Sequence, residues 1–176
     1  MTADSKINAL AEMVFIGEIV KQTKIAKRAD ERLQANNDNF DELEVWCSIQ
    51  SILVAAGNVS KILWPSRKSS AARGEKLRSL LDIDKCNILS DRKLRNHFEH
   101  YDERIEDWFE KSRSSVYIDS RIDPLQSNFS NNNTNIHRIY NPLTQTLTFR
   151  GESIDLGKVL IALEEIRYKC RHLALS

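Results

Sequence analysis

The residues of this sequence best suited to chemistry lie within one short run, Arg95-Asn96-His97-Phe98-Glu99-His100. A histidine can take up or release a proton near neutral pH, which makes His100 a candidate for acid–base catalysis. Arg95 adds a permanent positive charge and Asn96 an amide that both donates and accepts hydrogen bonds. The function of the chain is therefore best sought around this run.

The spacing of apolar residues predicts that this run lies on an amphipathic helix that opens at Ser90 or Asp91. Its apolar residues are Leu94, Phe98, Tyr101, Ile105, Trp108 and Phe109. With Leu94 set at zero and a turn of about 100° per residue, Asn96 lies at about 200° and His100 at about 240°, away from the apolar stripe. Arg95 lies about 140° from His100 on the same wheel. This separation suits a site built from two copies of the helix.

Other interpretations of the same residues stay open. An outward His100 is equally consistent with a solvated side chain, and Arg95 with Glu99, four residues on, could form a surface ion pair of little energetic consequence. His97 and His100 are three apart and could bind a metal together with Asp102. Further ligands at a diagnostic spacing are not evident, so we expect no metal and no cofactor.

Four other helices are predicted to surround this one. The first covers Ser5 to about Leu33, with Ile7, Leu10, Met13, Val14, Ile16 and Val20 on its apolar face. The second is capped by Asp41 and ended by Pro65, because proline disfavours the α conformation of the residue before it. A shorter helix covers about Ala71 to Leu81. Ser153 or Asp155 caps the last helix.

The segment between the last two helices has a different pattern. Short β-like runs occur at Val116–Ile118, Ile136–Tyr140 and Thr146–Phe149, and Asn141-Pro142-Leu143-Thr144 is a plausible turn. We predict a small β-hairpin insertion at about 113–151. The expected fold is a mainly α, up-and-down helical bundle that forms a single domain over residues 1–176.

Composition favours a folded protein of the reducing cytoplasm. Of the 176 residues, 41% are hydrophobic and 29% are charged, as in ordinary globular domains. The three cysteines, Cys47, Cys86 and Cys170, lack disulfide or zinc spacings, and we expect each to be a small buried apolar residue. The sequence begins without a signal-peptide pattern and contains no apolar run long enough for a membrane span.

Positive charge is concentrated in one stretch although the net charge is only +1. Between positions 61 and 78 there are six basic residues, Lys61, Arg67, Lys68, Arg73, Lys76 and Arg78, against one acidic residue, Glu75. A solvated surface and a polyanion-binding surface are equally consistent with this pattern. We take Lys61, Arg67, Lys68 and Arg73 as candidate RNA-binding residues.

The segment Leu94-Arg95-Asn96-His97-Phe98-Glu99-His100-Tyr101-Asp102 resembles the signature of HEPN domains. That signature is an arginine, a polar residue and then a histidine, written R-x4-6-H. The asparagine after Arg95, the Tyr-Asp pair after His100 and the place of the motif before a last amphipathic helix are also similar to the family. The fold expected from the resemblance is the HEPN helical bundle.

The resemblance implies a metal-independent endoribonuclease that acts as a homodimer in a toxin–antitoxin or anti-phage setting, with a possible cognate antitoxin protein as a partner. Arg95 would neutralise the scissile phosphate, Asn96 would orient the phosphate or the histidine, and His100 would move the proton. Many HEPN proteins also use an acidic residue from an earlier helix, for which Asp41, Glu42 and Glu44 are candidates. The alternative is a non-catalytic HEPN module that binds RNA, nucleotide or a protein partner.

Overall fold

The computed structural model describes residues 9–36, 41–92, 100–111, 116–124 and 135–173. These residues include five α-helices: α1 (Ala9–Ala35), α2 (Glu42–Leu63), α3 (Ala71–Leu80), α4 (Tyr101–Lys111) and α5 (Leu156–Cys170). They also include four strands: β1 (Arg121–Ile122), β2 (Arg138–Asn141), β3 (Thr146–Phe149) and β4 (Glu152–Asp155). The prediction of a mainly helical fold with a small β element is confirmed.

Two helices begin at the caps that the sequence predicts. Asp41 Oδ1 accepts a hydrogen bond from Glu44 N at 3.1 Å and opens α2. Asp155 Oδ1 accepts one from Lys158 N at 2.9 Å and opens α5. Each cap satisfies a backbone N–H that has no partner within the helix. At the other end, α2 stops at Leu63, two residues before Pro65.

The main core lies between α1, α2 and α5, with α3 and the sheet closing its sides. Its fully buried large side chains include Ile16 and Ile19 of α1, Ile49 and Ile52 of α2, and Leu163 of α5. Among the described helices, none is long and apolar enough to cross a membrane. These three helices pack closely around a continuous apolar core and form the rigid part of the molecule.

Several expectations about burial are wrong. Leu10 and Val14, predicted on the inner face of α1, are exposed. Cys47 and Cys86 are also exposed, and only Cys170 is buried. Leu10 and Val14 lie in the first turns of α1. Their apolar spacing predicts that they share a face of the helix, but not that this face is buried. Whether anything covers that face depends on tertiary structure, which periodicity does not contain.

The β segment is a four-stranded sheet with the order β1-β2-β3-β4. The predicted hairpin is confirmed as β2 and β3, where Tyr140 pairs with Leu147, and Asn141 Oδ1 accepts from the N–H groups of Leu143 and Thr144 in the turn. Two strands were missed: β4, antiparallel to β3, and β1, parallel to β2. The insertion therefore runs beyond residue 151, to Asp155 at the start of α5.

Helix α4 packs on this sheet through an aromatic cluster, which we define as Tyr101, Trp108, Tyr117, His137 and Phe149. Trp108 meets Tyr117 edge-on at 4.9 Å between ring centroids, and His137 meets Phe149 at 4.8 Å. Trp108 is buried as its apolar pattern predicts, whereas Phe109 is 60% exposed and lies over Tyr117 at the edge of the cluster. The sheet thus fixes the helix that begins immediately after His100.

Candidate functional site

His100 lies at the start of α4, where its backbone C=O accepts from Arg104 N at 3.1 Å. Its side chain is about half exposed, and Nδ1 lies 3.2 Å from Glu103 Oε1. When Nδ1 carries the ring proton, it donates to this carboxylate and Nε2 becomes the basic nitrogen. Nε2 has no partner among the described residues. This arrangement leaves a basic nitrogen at the surface for proton transfer.

Glu103 is a residue that our sequence analysis missed. It follows His100 by three positions, so on a helix the two side chains are neighbours. Helical spacing alone favours this contact, whereas the acidic candidates named from the sequence all lie at the start of α2. A carboxylate that holds one imidazole nitrogen fixes the tautomer and orientation of the ring.

The three acidic candidates from the earlier helix have separate roles. Asp41 caps α2, and Glu44 pairs with Arg32 at 3.0 Å. Glu42 is exposed and lines a cleft described below. Within the described residues, none of these three carboxylates contacts His100.

The motif residues Arg95 and Asn96, together with His97, lie outside the described residues. Their arrangement relative to His100 stays a prediction from the helical wheel. Asp102 is exposed. In the described ranges no group of three or more His, Cys, Asp or Glu side chains could hold a metal ion.

A charged cluster of Tyr101, Asp119 and Arg138 lies behind His100. Arg138 Nε and Nη2 donate to the two carboxylate oxygens of Asp119 at 2.8 and 2.6 Å. The Tyr101 hydroxyl donates to Asp119 Oδ2 at 2.9 Å and lies 3.3 Å from Arg138 Nη2. The guanidinium also stacks over the Tyr101 ring, 4.6 Å from its centroid. The residue directly after His100 is therefore anchored to the sheet.

The protonation states of Tyr101 and Asp119 in this cluster do not change near neutral pH. Burial and the hydrogen bond with Asp119 raise the pKa of Tyr101, against the opposing effect of Arg138, so the phenol stays protonated. Burial alone would raise the pKa of Asp119, but the hydrogen bond and charge of Arg138 outweigh it, and the net pKa is lowered. Asp119 is therefore ionised, and the cluster acts as a rigid support.

A cleft of about 440 Å³ opens between the start of α2 and the sheet. Its lining comes from three distant parts of the chain: Glu42, Leu43, Trp46, Ile49 and Gln50 of α2, with Ser120 and Arg138. Trp46 Nε1 donates to Ser120 O at 2.7 Å, and the Arg138 guanidinium lies over the indole, 5.1 Å from its centroid. Sequence analysis did not find this cleft, because no local pattern joins residues that are over 70 positions apart.

The basic stretch between positions 61 and 78 divides into two groups. Arg73 Nη2 donates to Lys61 O at 3.1 Å, Arg78 donates to Leu63 O, and Lys76 pairs with Glu12. The two arginines thereby satisfy backbone carbonyls at the C-terminal end of α2, where helices leave such groups without partners. Arg73, one of the candidate RNA-binding residues, thus has a structural contact, and its role in RNA binding stays a prediction.

The other candidate RNA-binding residues lie on the surface. Lys61 is exposed in the last turn of α2, and Arg67 and Lys68 are exposed in the turn that leads to α3. Exposed lysine and arginine side chains can contact phosphate groups.

No protein-family model matches the chain, and no curated protein or solved structure matches it significantly.

Proposed function

We propose that this chain is a metal-independent endoribonuclease of the HEPN type, acting as a toxin or an anti-phage effector. The observation that carries the proposal is the Arg95-Asn96-x3-His100 motif, ending on an exposed histidine whose Nδ1 is held by Glu103. Cleavage of RNA by its own 2′-hydroxyl requires at least a group that accepts the proton and a positive charge that stabilises the phosphate. The motif supplies the first as an exposed, oriented imidazole and the second as an arginine.

In this mechanism His100 Nε2 takes the proton of a ribose 2′-hydroxyl. The 2′-oxygen then bonds to the adjacent phosphorus, and the bond from phosphorus to the 5′-oxygen breaks. The leaving 5′-oxygen takes up a proton, which gives a 5′-hydroxyl and a 2′,3′-cyclic phosphate. Arg95 neutralises the charge that develops on the phosphate oxygens, and Asn96 orients the phosphate or the imidazole.

The proposal includes a homodimer with composite sites. The predicted helical wheel separates Arg95 and His100 by about 140°, and with that separation one copy would not direct both groups to one phosphate. A two-fold axis would bring the arginine of one chain to the histidine of its partner. Lys61, Arg67 and Lys68 would add phosphate contacts away from the scissile bond.

Cleavage of single-stranded RNA in excess EDTA tests the activity. The parent protein should cut, and His100→Ala and Arg95→Ala should each lower the rate by about 10²- to 10⁴-fold, the usual effect of losing a proton-transfer group. Glu103→Gln keeps the size of the side chain but loses the charge that favours an oriented imidazole, so it should reduce the rate less. His172→Ala, which removes another exposed histidine, should cut like the parent.

Two outcomes would overturn the mechanism. One is a His100→Ala variant that cleaves as fast as the parent, and the other is activity that disappears in EDTA and returns with a divalent metal. If the parent binds RNA but does not cut it, the chain is a non-catalytic HEPN module. Growth arrest on expression of the parent but not of His100→Ala would support the toxin role.

A further inference from the structure

We infer that the cleft between α2 and the sheet binds an unpaired guanine base of the RNA substrate. This inference rests on the proposed function, because it names a base-recognition subsite for the same substrate. It is carried by a different set of residues, namely Glu42, Trp46 and Arg138, which the cleavage mechanism does not use.

The cleft has the size and lining of a site for a small planar group. Its volume of about 440 Å³ lies within the range of ligand pockets, which combine apolar and aromatic walls with a few polar groups. Trp46, with the Arg138 guanidinium over one face of its indole, lines the cleft, and bases of single-stranded RNA commonly stack on such aromatic side chains. Because Glu42, Leu43, Trp46, Ile49 and Gln50 follow one face of α2, the wall is built on a rigid helix.

Glu42 selects among the bases. An ionised carboxylate only accepts hydrogen bonds, through two oxygens side by side. The Watson–Crick edge of guanine carries two adjacent donors, N1–H and the 2-amino group. On the same edge adenine and cytosine place a ring acceptor next to their amino group, and uracil has a single N–H between two carbonyls. Guanine is therefore the base that fits Glu42 best.

Arg138 complements the other edge of the same base. A guanidinium only donates hydrogen bonds, and guanine O6 and N7 are the acceptors that arginine most often recognises. Nε and Nη2 of Arg138 are held by Asp119, while Nη1 has no partner within the described part of the chain. The guanidinium is therefore fixed in place with one donor group left for a ligand.

The cleft is connected to the proposed catalytic histidine. Arg138 lines the cleft, and its Nη2 lies 3.3 Å from the hydroxyl of Tyr101, the residue that follows His100. A bound strand with its guanine in the cleft would thus have a neighbouring phosphate in the vicinity of α4. Glu42 also disfavours phosphate in the cleft itself, since two negative charges would lie together.

Binding of non-cleavable RNA separates this subsite from catalysis. The probes are 2′-O-methyl oligonucleotides of uridine with one central guanosine, inosine or adenosine, measured by fluorescence anisotropy. Inosine lacks only the 2-amino donor, so the guanosine probe should bind about tenfold or more tightly, the usual effect of one hydrogen bond to a charged group. Glu42→Gln should abolish this preference. Glu165→Gln, an exposed change on α5, should keep it.

The outcomes distinguish the two proposals. Equal binding of guanosine and inosine probes, or an unchanged preference in Glu42→Gln, would overturn the guanine site even if the protein cuts RNA. A guanosine preference in a parent protein that cuts no RNA would support the guanine site and refute the ribonuclease. Displacement of the guanosine probe by an arginine-containing peptide but not by guanosine monophosphate would show that the cleft binds a basic side chain instead.

Discussion

At the scale of single residues, His137 is the most exceptional side chain in the described structure. It is fully buried in the aromatic cluster, and neither ring nitrogen has a hydrogen-bond partner among the described residues. Burial lowers its pKa, and the positive charges of Arg150, Arg138 and Arg104 act in the same direction against the carboxylate of Asp119. The folded protein therefore holds His137 neutral.

This burial predicts that stability falls in mild acid. Below the usual histidine pKa of about 6.5, the unfolded chain binds a proton at His137 that the folded chain refuses. Stability should thus be complete above that pH and decline as the pH falls towards the lower pKa of the folded state. Between pH 7.5 and 5.5 this one group contributes a loss of up to about 1.4 kcal/mol.

Urea unfolding of the parent and of His137→Phe at both pH values measures the effect. Phenylalanine keeps a ring in the cluster without a titrating nitrogen, so the variant should show a smaller loss of stability between pH 7.5 and 5.5. His172→Ala, at an exposed position, should lose as much as the parent. An identical loss in His137→Phe would show that other groups cause the acid sensitivity.

At the scale of elements, the junction of α2 with α3 depends on close contact at Gly74. A Cβ atom at this position would lie 2.5 Å from Pro65 Cδ and 2.7 Å from Leu63 O. Both neighbours are rigid, one being a proline ring and the other a backbone carbonyl. Side chains other than hydrogen are therefore excluded, and the contact brings Arg73 and Arg78 to the carbonyls that end α2.

Replacing Gly74 by alanine should destabilise the protein by about 1–3 kcal/mol, as overpacking usually does. The matched control is Gly17→Ala in α1, where a Cβ would meet nothing within 4 Å. There alanine should stabilise by about 0.5–1 kcal/mol because it favours the helix. Thermal unfolding of both variants and the parent measures the two changes in stability, which should have opposite signs. A Gly74→Ala variant as stable as the parent would contradict the close contact.

The elements that sequence analysis predicted well are those with local signals. Asp41, Asp155 and Pro65 mark helix ends through their own chemistry, and Asn141 marks the hairpin turn. Strand β1 has only two residues and pairs in parallel with residues 18 positions later, so no local pattern reveals it. Strand β4 was missed because Glu152 and Ser153 are polar, and a serine just before an apolar helical pattern is typical of a helix cap.

At the scale of the whole molecule, a composite active site would make activity a property of the dimer. Light scattering should give twice the 20.3 kDa of one chain. An equal mixture of Arg95→Ala and His100→Ala chains, refolded together, should recover about one quarter of the parental activity, since half of the dimers would carry one intact site out of two. No recovery on mixing, with each variant inactive alone, would show that each chain holds its own complete site.

How far the candidate site could be predicted differs among its parts. The motif around His100 was identified from residue types alone, and Glu103 follows from helical spacing. The cleft, the Asp119–Arg138 pair and the support of Tyr101 depend on bringing together α2, α4 and β2, which are distant in sequence. The charge count likewise could not show that Arg73 and Arg78 of α3 donate to the backbone carbonyls that end α2.

The position of α5 in the core has a consequence for synthesis of the protein. α1 and α2 pack against α5, whose residues Leu156–Cys170 leave the ribosome after all of the other described helices and strands. Until they emerge, the apolar faces of the first two helices have no complete core to bury them, and the nascent chain cannot reach its final packing. The core between α1, α2 and α5 can therefore close only after α5 has been made.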